Sequence, residues 1–358
     1  MRRLVVLEAA GTWEFVDALR RAWDEGDAVL PLDPRLPGPA RAAVLAAART
    51  DEPVAPGDAL VVVTSGTTGA PKGVVLTHDA VAASAEATSA ALEVDPQRDR
   101  WLACLPLAHV GGLSVVTRAL HTGTPLTLHD GFDAARAAAA LDEGCTLTSL
   151  VPTALARLDP APWRRILLGG QAPPADRPAN VIATYGMTET GSGVVYEGRP
   201  LPGVEVRVAD DGEIHLRGPM LLRAYRDGTD PKDGDGWLPT GDLGELGPDG
   251  HLHVHGRRGD LIITGGENVW PTAVERALVT HPAVAEVAVV GRPDPEWGQR
   301  VVAVVVPRDP TAPPTLAELR DHAKATLPAF AAPTVLELVS ALPRTASGKV
   351  RRASLADG

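Results

Sequence analysis

Between residues 60 and 184 the chain alternates short apolar runs with stretches of helical period. Leu60–Val63, Trp101–Leu105, Pro125–Leu128, Thr146–Val151, Ile166–Leu168 and Val181–Ala183 are too short for helices and read as buried strands. Asp79–Leu92 places Val81, Ala85, Thr88 and Leu92 on one stripe, and Leu113–His121 and Asp133–Asp142 are also of helical pattern. Strands alternating with helices predict a largely parallel sheet covered by helices, an α/β domain.

From Val204 the rhythm changes to strict alternation. Val204–Val208, Glu213–Arg217 and His251–His255 are separated by Asp211-Gly212 and Asp249-Gly250, so they read as antiparallel hairpins with one wet face. The three histidines of the last run share that face; a metal is geometrically open to them, but no further ligand is apparent. A third pattern begins near Gly259. Leu261–Ile263 reads as a strand, and Pro271 takes the first-turn position of a helix over Thr272–Thr280. Strands at Ala285–Val290, Val301–Val306 and Val335–Val339, with a helix at Thr315–Thr326, complete a small α+β domain. Gly256–Asp260 lacks apolar residues and holds two glycines, as a hinge would. The predicted division is a large domain over 1–258 and a small, mobile one over 259–358.

Composition narrows the function. Lys+Arg 34 against Asp+Glu 45 gives −11, which argues against nucleic acid as the main partner. Cys104 and Cys145 sit in apolar runs without metal-ligand spacing or a disulfide framework. The basic start is interrupted too early for a secretory signal, and no apolar run approaches membrane-spanning length. These features predict a reduced, cytoplasmic enzyme with no membrane partner.

The chemistry gathers first at Thr64-Ser-Gly-Thr-Thr-Gly-Ala-Pro-Lys-Gly-Val74. Glycines at Gly66, Gly69 and Gly73 admit close backbone approach, Thr64, Ser65, Thr67 and Thr68 offer hydroxyls, and Lys72 adds a charge. A glycine-rich loop leaving a strand with these donors is a polyphosphate cradle. It is not a Walker A loop, because Gly73 follows the lysine where Ser or Thr would stand. The stretch resembles the phosphate signature of the acyl-adenylate-forming enzymes, the superfamily of acyl-CoA synthetases, luciferase and peptide-synthetase adenylation domains.

Further segments resemble that superfamily in order, from about residue 60 to the end. Leu105–Leu113 resembles the segment whose histidine, here His109, lines the acyl pocket. Leu168-Gly169-Gly170-Gln171 resembles the adenine-facing turn. Tyr185-Gly186-Met-Thr188-Glu189-Thr190 implies Tyr185 against adenine, Thr188 near phosphate and Glu189 holding Mg²⁺, a hard cation suited to a carboxylate. Asp242 would accept from the ribose hydroxyls, with Arg257 beside it. Gly265-Gly266-Glu267-Asn268 resembles the loop that builds the thioester-forming site, and Pro343–Arg351 implies Lys349 as the catalytic lysine. At the hinge the family usually has Asp or Lys two residues after the arginine matched by Arg257; here Gly259 stands there and Asp260 follows.

The resemblance implies a two-step ligase using ATP, Mg²⁺ and coenzyme A on a small carboxylic acid, with a homodimer as a family-level expectation. About sixty residues precede the phosphate loop, which implies a shortened N-terminal part. Compact members of this kind resemble bacterial o-succinylbenzoate–CoA ligases of menaquinone biosynthesis. Other aryl or medium-chain acyl-CoA ligases share these motifs, as do carrier-protein-loading adenylation enzymes; a non-catalytic nucleotide-binding homologue should have lost Lys72, Glu189 or Lys349. A second carboxylate on the acid needs a cation or several donors. Arg118, nine residues after His109, and Ser192 are candidates; the alternative for Arg118 is an ordinary solvent-facing helix residue.

Overall fold

The computed structural model describes residues 2–64, 71–174, 176–344 and 350–356. The chain divides into two compact units, residues 1–206 with 215–239 and residues 207–214 with 240–358.

The first unit opens with β1 (Leu4–Glu8), α1 (Trp13–Asp24), β2 (Ala28–Leu32), α2 (Gly38–Ala48) and β3 (Asp58–Thr64), then β4 (Lys72–Thr77) and α3 (His78–Ala91). β1 pairs parallel with β2 and β2 with β3, whereas β3 and β4 are antiparallel, Val62 opposite Val74 and Thr64 opposite Lys72. The phosphate signature is therefore the connection of a hairpin, not a strand running directly into a helix. Val74-Val75-Leu76, an apolar run over which the sequence reading passed, is buried as the returning strand. Thr77 then caps α3, its Oγ1 accepting from Ala80 N at 3.1 Å.

The chain continues through β5 (Trp101–Ala103), α4 (Val110–Thr122), β6 (Leu126–Leu128), α5 (Ala134–Ala139), β7 (Leu147–Leu150), α6 (Pro152–Leu155), β8 (Arg165–Leu168) and β9 (Val181–Gly186). β10 (Gly193–Tyr196) and β11 (Arg199–Pro200) complete a sheet of order β11-β10-β9-β8-β7-β5-β6. The pairs from β6 to β9 are parallel, as the alternation predicts, and β10 and β11 add an antiparallel edge. One cluster beneath this sheet joins Leu102, Cys104, Leu150, Ile166, Leu168 and Val181.

Strands β12 (Glu205–Val208), β13 (Glu213–Arg217), β14 (Ala224–Tyr225), β15 (Leu238–Leu246) and β16 (Leu252–Arg257) follow. β14 pairs with β4 and ends the first sheet, in the order β1-β2-β3-β4-β14. The others form an antiparallel sheet of order β12-β13-β15-β16, where the division between the units falls. The histidines near β16 have separate partners. His251 meets Asp249 at 2.8 Å, His253 is exposed, and the His255 ring stacks on Trp270. Among the described residues no group of His, Cys, Asp or Glu is arranged to hold a metal.

The rest of the second unit carries β17 (Ile262–Thr264), β18 (Glu267–Val269), α7 (Pro271–Val279), β19 (Val284–Asp294), β20 (Gly298–Pro307), α8 (Leu316–Lys324), β21 (Val335–Leu338) and α9 (Ala353–Ala356). β20 reads as an unbroken apolar run because both of its faces are covered. Val301, Ala303 and Val305 pack with Val274 and Leu278 of α7 and Leu319 of α8. Val302 and Val304, the alternate positions, pack with Leu342, Val350 and Leu355 of the C-terminal segment. Burial of such side chains contributes roughly 1.5–3 kcal/mol each. No helix among the described residues is long and apolar enough to cross a membrane.

Candidate active site

At the glycine-rich signature, Thr64 closes β3 and Lys72 opens β4 directly opposite it. Ser65, Gly66, Thr67, Thr68 and Gly69 lie outside the described residues. Lys72 Nζ sits 4.9 Å from the ring centroid of Tyr225, whose hydroxyl donates to Glu189 Oε1 at 3.0 Å. Glu189 lies in a 3₁₀ turn, Thr188–Thr190. Buried Thr190 closes that turn, its Oγ1 accepting from Met187 N at 2.9 Å and donating to Ser192 O at 2.6 Å. Sequence reasoning named Lys72 and Glu189 but missed Tyr225 between them. A signal was present: Tyr225 is one of only three tyrosines in the chain. A half-buried carboxylate of which only one oxygen is engaged, by a phenol, is a donor that would fit a hard cation such as Mg²⁺.

Gly169, Gly170 and Gln171 leave β8 beside β9, which carries Tyr185 and ends at Gly186. The two strands run parallel with Leu168 opposite Ala183, so the predicted adenine-facing turn and Tyr185 emerge at the same end of the sheet. Ligands of open α/β sheets bind outside the carboxyl ends of the strands.

His109 is the residue preceding α4 and is half-buried. The first turn of the helix packs so close to the connection after β5 that a Cβ on Gly112 would lie 2.4 Å from Leu105 O, and only glycine fits there. Two turns further on, Arg118 is 1 % exposed, so its solvent-facing alternative is overturned. Its guanidinium carbon lies 4.9 Å from the ring centroid of Trp101, and Nη2 donates to Ser192 Oγ at 3.3 Å. Ser192 Oγ meets Ser114 Oγ at 3.3 Å. Arg118 Nε and Nη1 are buried and find no acceptor among the described residues. Burial pushes the pKa of this guanidinium down. The structure thus joins two residues that sequence reasoning had only suspected of sharing a pocket.

In the second unit, Asp242 and Arg257 are opposite residues of β15 and β16. Arg257 Nε meets Asp242 Oδ1 at 2.8 Å. Asp242 is 6 % exposed, and its backbone N donates to Thr240 Oγ1 at 3.1 Å. Gly259 and Asp260 fall in the 3₁₀ turn Arg258–Asp260, and Asp260 pairs with Arg352 at 3.5 Å. The segment read as a loop over Gly265–Asn268 is tighter than that. Gly265 and Gly266, at φ +59° and +85°, are the two turn residues of the β17–β18 hairpin, with Thr264 opposite Glu267. Positive φ at both positions is the type I′ requirement that glycine meets. Glu267 and Asn268 are exposed strand residues. Lys349 lies outside the described residues; before it, Arg344 bridges to Val350 and its Nη2 donates to Glu286 Oε2 at 2.6 Å.

Two family models match the chain: AMP-binding enzyme over residues 10–226, and AMP-binding enzyme C-terminal domain over 273–349. A probable 2-succinylbenzoate–CoA ligase of Mycobacterium tuberculosis is 41% identical over 99% of this chain and 97% of its own length. The 2-succinylbenzoate–CoA ligase of Listeria monocytogenes is 37% identical over 83% of this chain and 69% of its own. Among solved structures, o-succinylbenzoate coenzyme A synthetase from Bacillus subtilis in complex with AMP superposes with a TM-score of 0.88 at 30% identity, covering 100% of this chain and 89% of that one. The chain belongs to the AMP-binding enzyme family, the acyl-adenylate-forming superfamily, and is similar within it to the 2-succinylbenzoate–CoA ligases.

Proposed function

We propose that this chain adenylates o-succinylbenzoate and transfers the acyl group to coenzyme A in menaquinone biosynthesis, as an AMP-forming acid–CoA ligase. The succinyl carboxylate attacks the α-phosphate of ATP in line and releases pyrophosphate. The thiol of coenzyme A then displaces AMP from the acyl-adenylate. Relatives bearing that activity in their names support the choice of acid.

The observation that carries the choice is Arg118. A buried guanidinium without a carboxylate partner is costly, and an anion arriving with the substrate offsets that cost. o-Succinylbenzoate brings two carboxylates: one reacts, and the aromatic one is held without reacting by Arg118 and Ser192. His109 lines the same acyl pocket.

Lys349 reaches the carboxylate and α-phosphate and stabilises charge developing in the attack. Lys72 and the glycine-rich loop from Thr64 to Gly69 hold the outer phosphates. Mg²⁺, when bound at Glu189, neutralises phosphate charge. Gly169–Gln171, Tyr185, Gly186 and Thr188 hold adenine and the inner phosphate, and Asp242 with Arg257 holds the ribose. The domain of residues 259–358 turns about Gly259-Asp260 between the half-reactions and brings in Gly265–Asn268 for thioester formation. The enzyme works in the cytoplasm, as a homodimer by analogy with its family.

A pyrophosphate-release screen over o-succinylbenzoate, benzoates and fatty acids tests this reading. Turnover should be greatest with o-succinylbenzoate and coenzyme A. No turnover of that acid, or a preference for an acyl-carrier protein over free coenzyme A, removes it.

A further inference from the structure

We infer that Tyr225 is a positioning residue that holds Lys72 and Glu189 apart while fixing both, so that one stays available to phosphate and the other to the cation. The inference rests on the proposed reading of Lys72 and Glu189 and adds to it a residue outside the motifs that pointed there.

Tyr225 stands on β14 opposite Val74 of β4, so Lys72, two residues along, is its diagonal neighbour on the same face. The ammonium faces the ring at 4.9 Å from its centroid, an attraction between cation and ring quadrupole. At the other end of the same side chain, the hydroxyl donates to Glu189 Oε1 at 3.0 Å. A phenol donating to a carboxylate oxygen fixes the rotamer of the glutamate. The bond engages one of two carboxylate oxygens. Lys72 meets the face of the ring and Glu189 its hydroxyl, at two separate places on one side chain.

The backbone that carries Tyr225 is itself anchored. Tyr225 N donates to Thr229 O at 2.8 Å, and Arg226 N donates to Gly73 O at 2.7 Å. The buried Arg226 side chain donates to the carbonyls of Ala48, Arg49, Glu52 and Pro53 at 2.8–3.2 Å. On the glutamate side, Leu222 N donates to Glu189 O at 2.7 Å. The tyrosine is thus a rigid spacer between two charges of opposite sign. Without the ring, ammonium and carboxylate are free to collapse into an ion pair that competes with both phosphate and cation.

The test compares Tyr225→Phe and Tyr225→Leu with Glu189→Gln and Lys72→Met in the full chain. Calorimetry reads binding of ATP as Mg²⁺ is varied, and of AMP without Mg²⁺. Tyr225→Phe keeps the ring and should raise the Mg²⁺ needed for half-maximal ATP binding by about tenfold, the scale of one hydrogen bond to a charged group. Tyr225→Leu should weaken ATP further, with AMP binding unchanged in both. An unaltered Mg²⁺ requirement in Tyr225→Phe, with Glu189→Gln shifted, overturns the inference alone. Equal losses for AMP and ATP also overturn it, since they mark general damage. Unchanged ATP binding in Glu189→Gln and Lys72→Met removes the reading of the phosphate end, and the inference with it.

Discussion

Arg118 Nη2 reaches Ser192 Oγ at 3.3 Å across 74 residues of sequence, and the other two guanidinium nitrogens find no acceptor among the described residues. A cation so placed trades stability for a task. Arg118→Leu should raise the KM for o-succinylbenzoate by roughly 10- to 100-fold, the worth of a charge-assisted hydrogen bond, and leave that for ATP nearly unchanged. The same variant should melt at the wild-type temperature or above it, because it removes an uncompensated buried charge. Steady-state kinetics and a thermal melt check both halves. Unchanged kinetics with the acid would take Arg118 out of the pocket.

Lys349 is expected to serve adenylation alone. Lys349→Ala should slow pyrophosphate release by about 10²–10³. Thioester formation from supplied acyl-adenylate should stay close to wild type. Equal losses in the two half-reactions would refute this division of labour.

Asp242 pairs with Arg257 at 2.8 Å, and the proposed ribose contact uses the same carboxylate. Asp242→Ala should weaken ATP and AMP by the same factor, because ribose is common to both. Nucleotide titrations of the two ligands read this directly. A loss confined to ATP would move Asp242 to the phosphate end.

Cys104 is buried in the core of the large sheet, and burial pushes its thiol up to about 11. An unfolded thiol ionises near 8.5, so the folded state holds the proton more tightly. The resulting stability is fully present below about pH 8.5 and is lost as pH rises from there toward 11. Cys104→Ala should flatten that alkaline decline in a denaturant titration. At pH 8 the native protein should react with a thiol reagent only as fast as it opens, since Cys145 is buried as well.

The sequence determined the alternation of strands and helices from Asp79 to 184, the alternating meander and the small α+β domain, because period and turn chemistry are local properties. Pro271 at the head of its helix and Asp249-Gly250 at its turn are legible for the same reason. The motif residues stand out through their resemblance to the superfamily's signatures, which are also local runs of sequence. What the local pattern could not supply was pairing and burial. Lys72–Thr77 reads as a tail of the phosphate loop until β3 is there to pair with it. Arg118 carries no mark distinguishing it from a wet helix residue; only the packing of α4 over Trp101 puts its charge inside. Tyr225 lies 36 residues beyond Glu189 and far from Lys72 along the chain, and β14 joins them only by pairing with β4. Contacts between residues so distant in sequence are selected by the free energy of burying whole surfaces, which no short window of residues records.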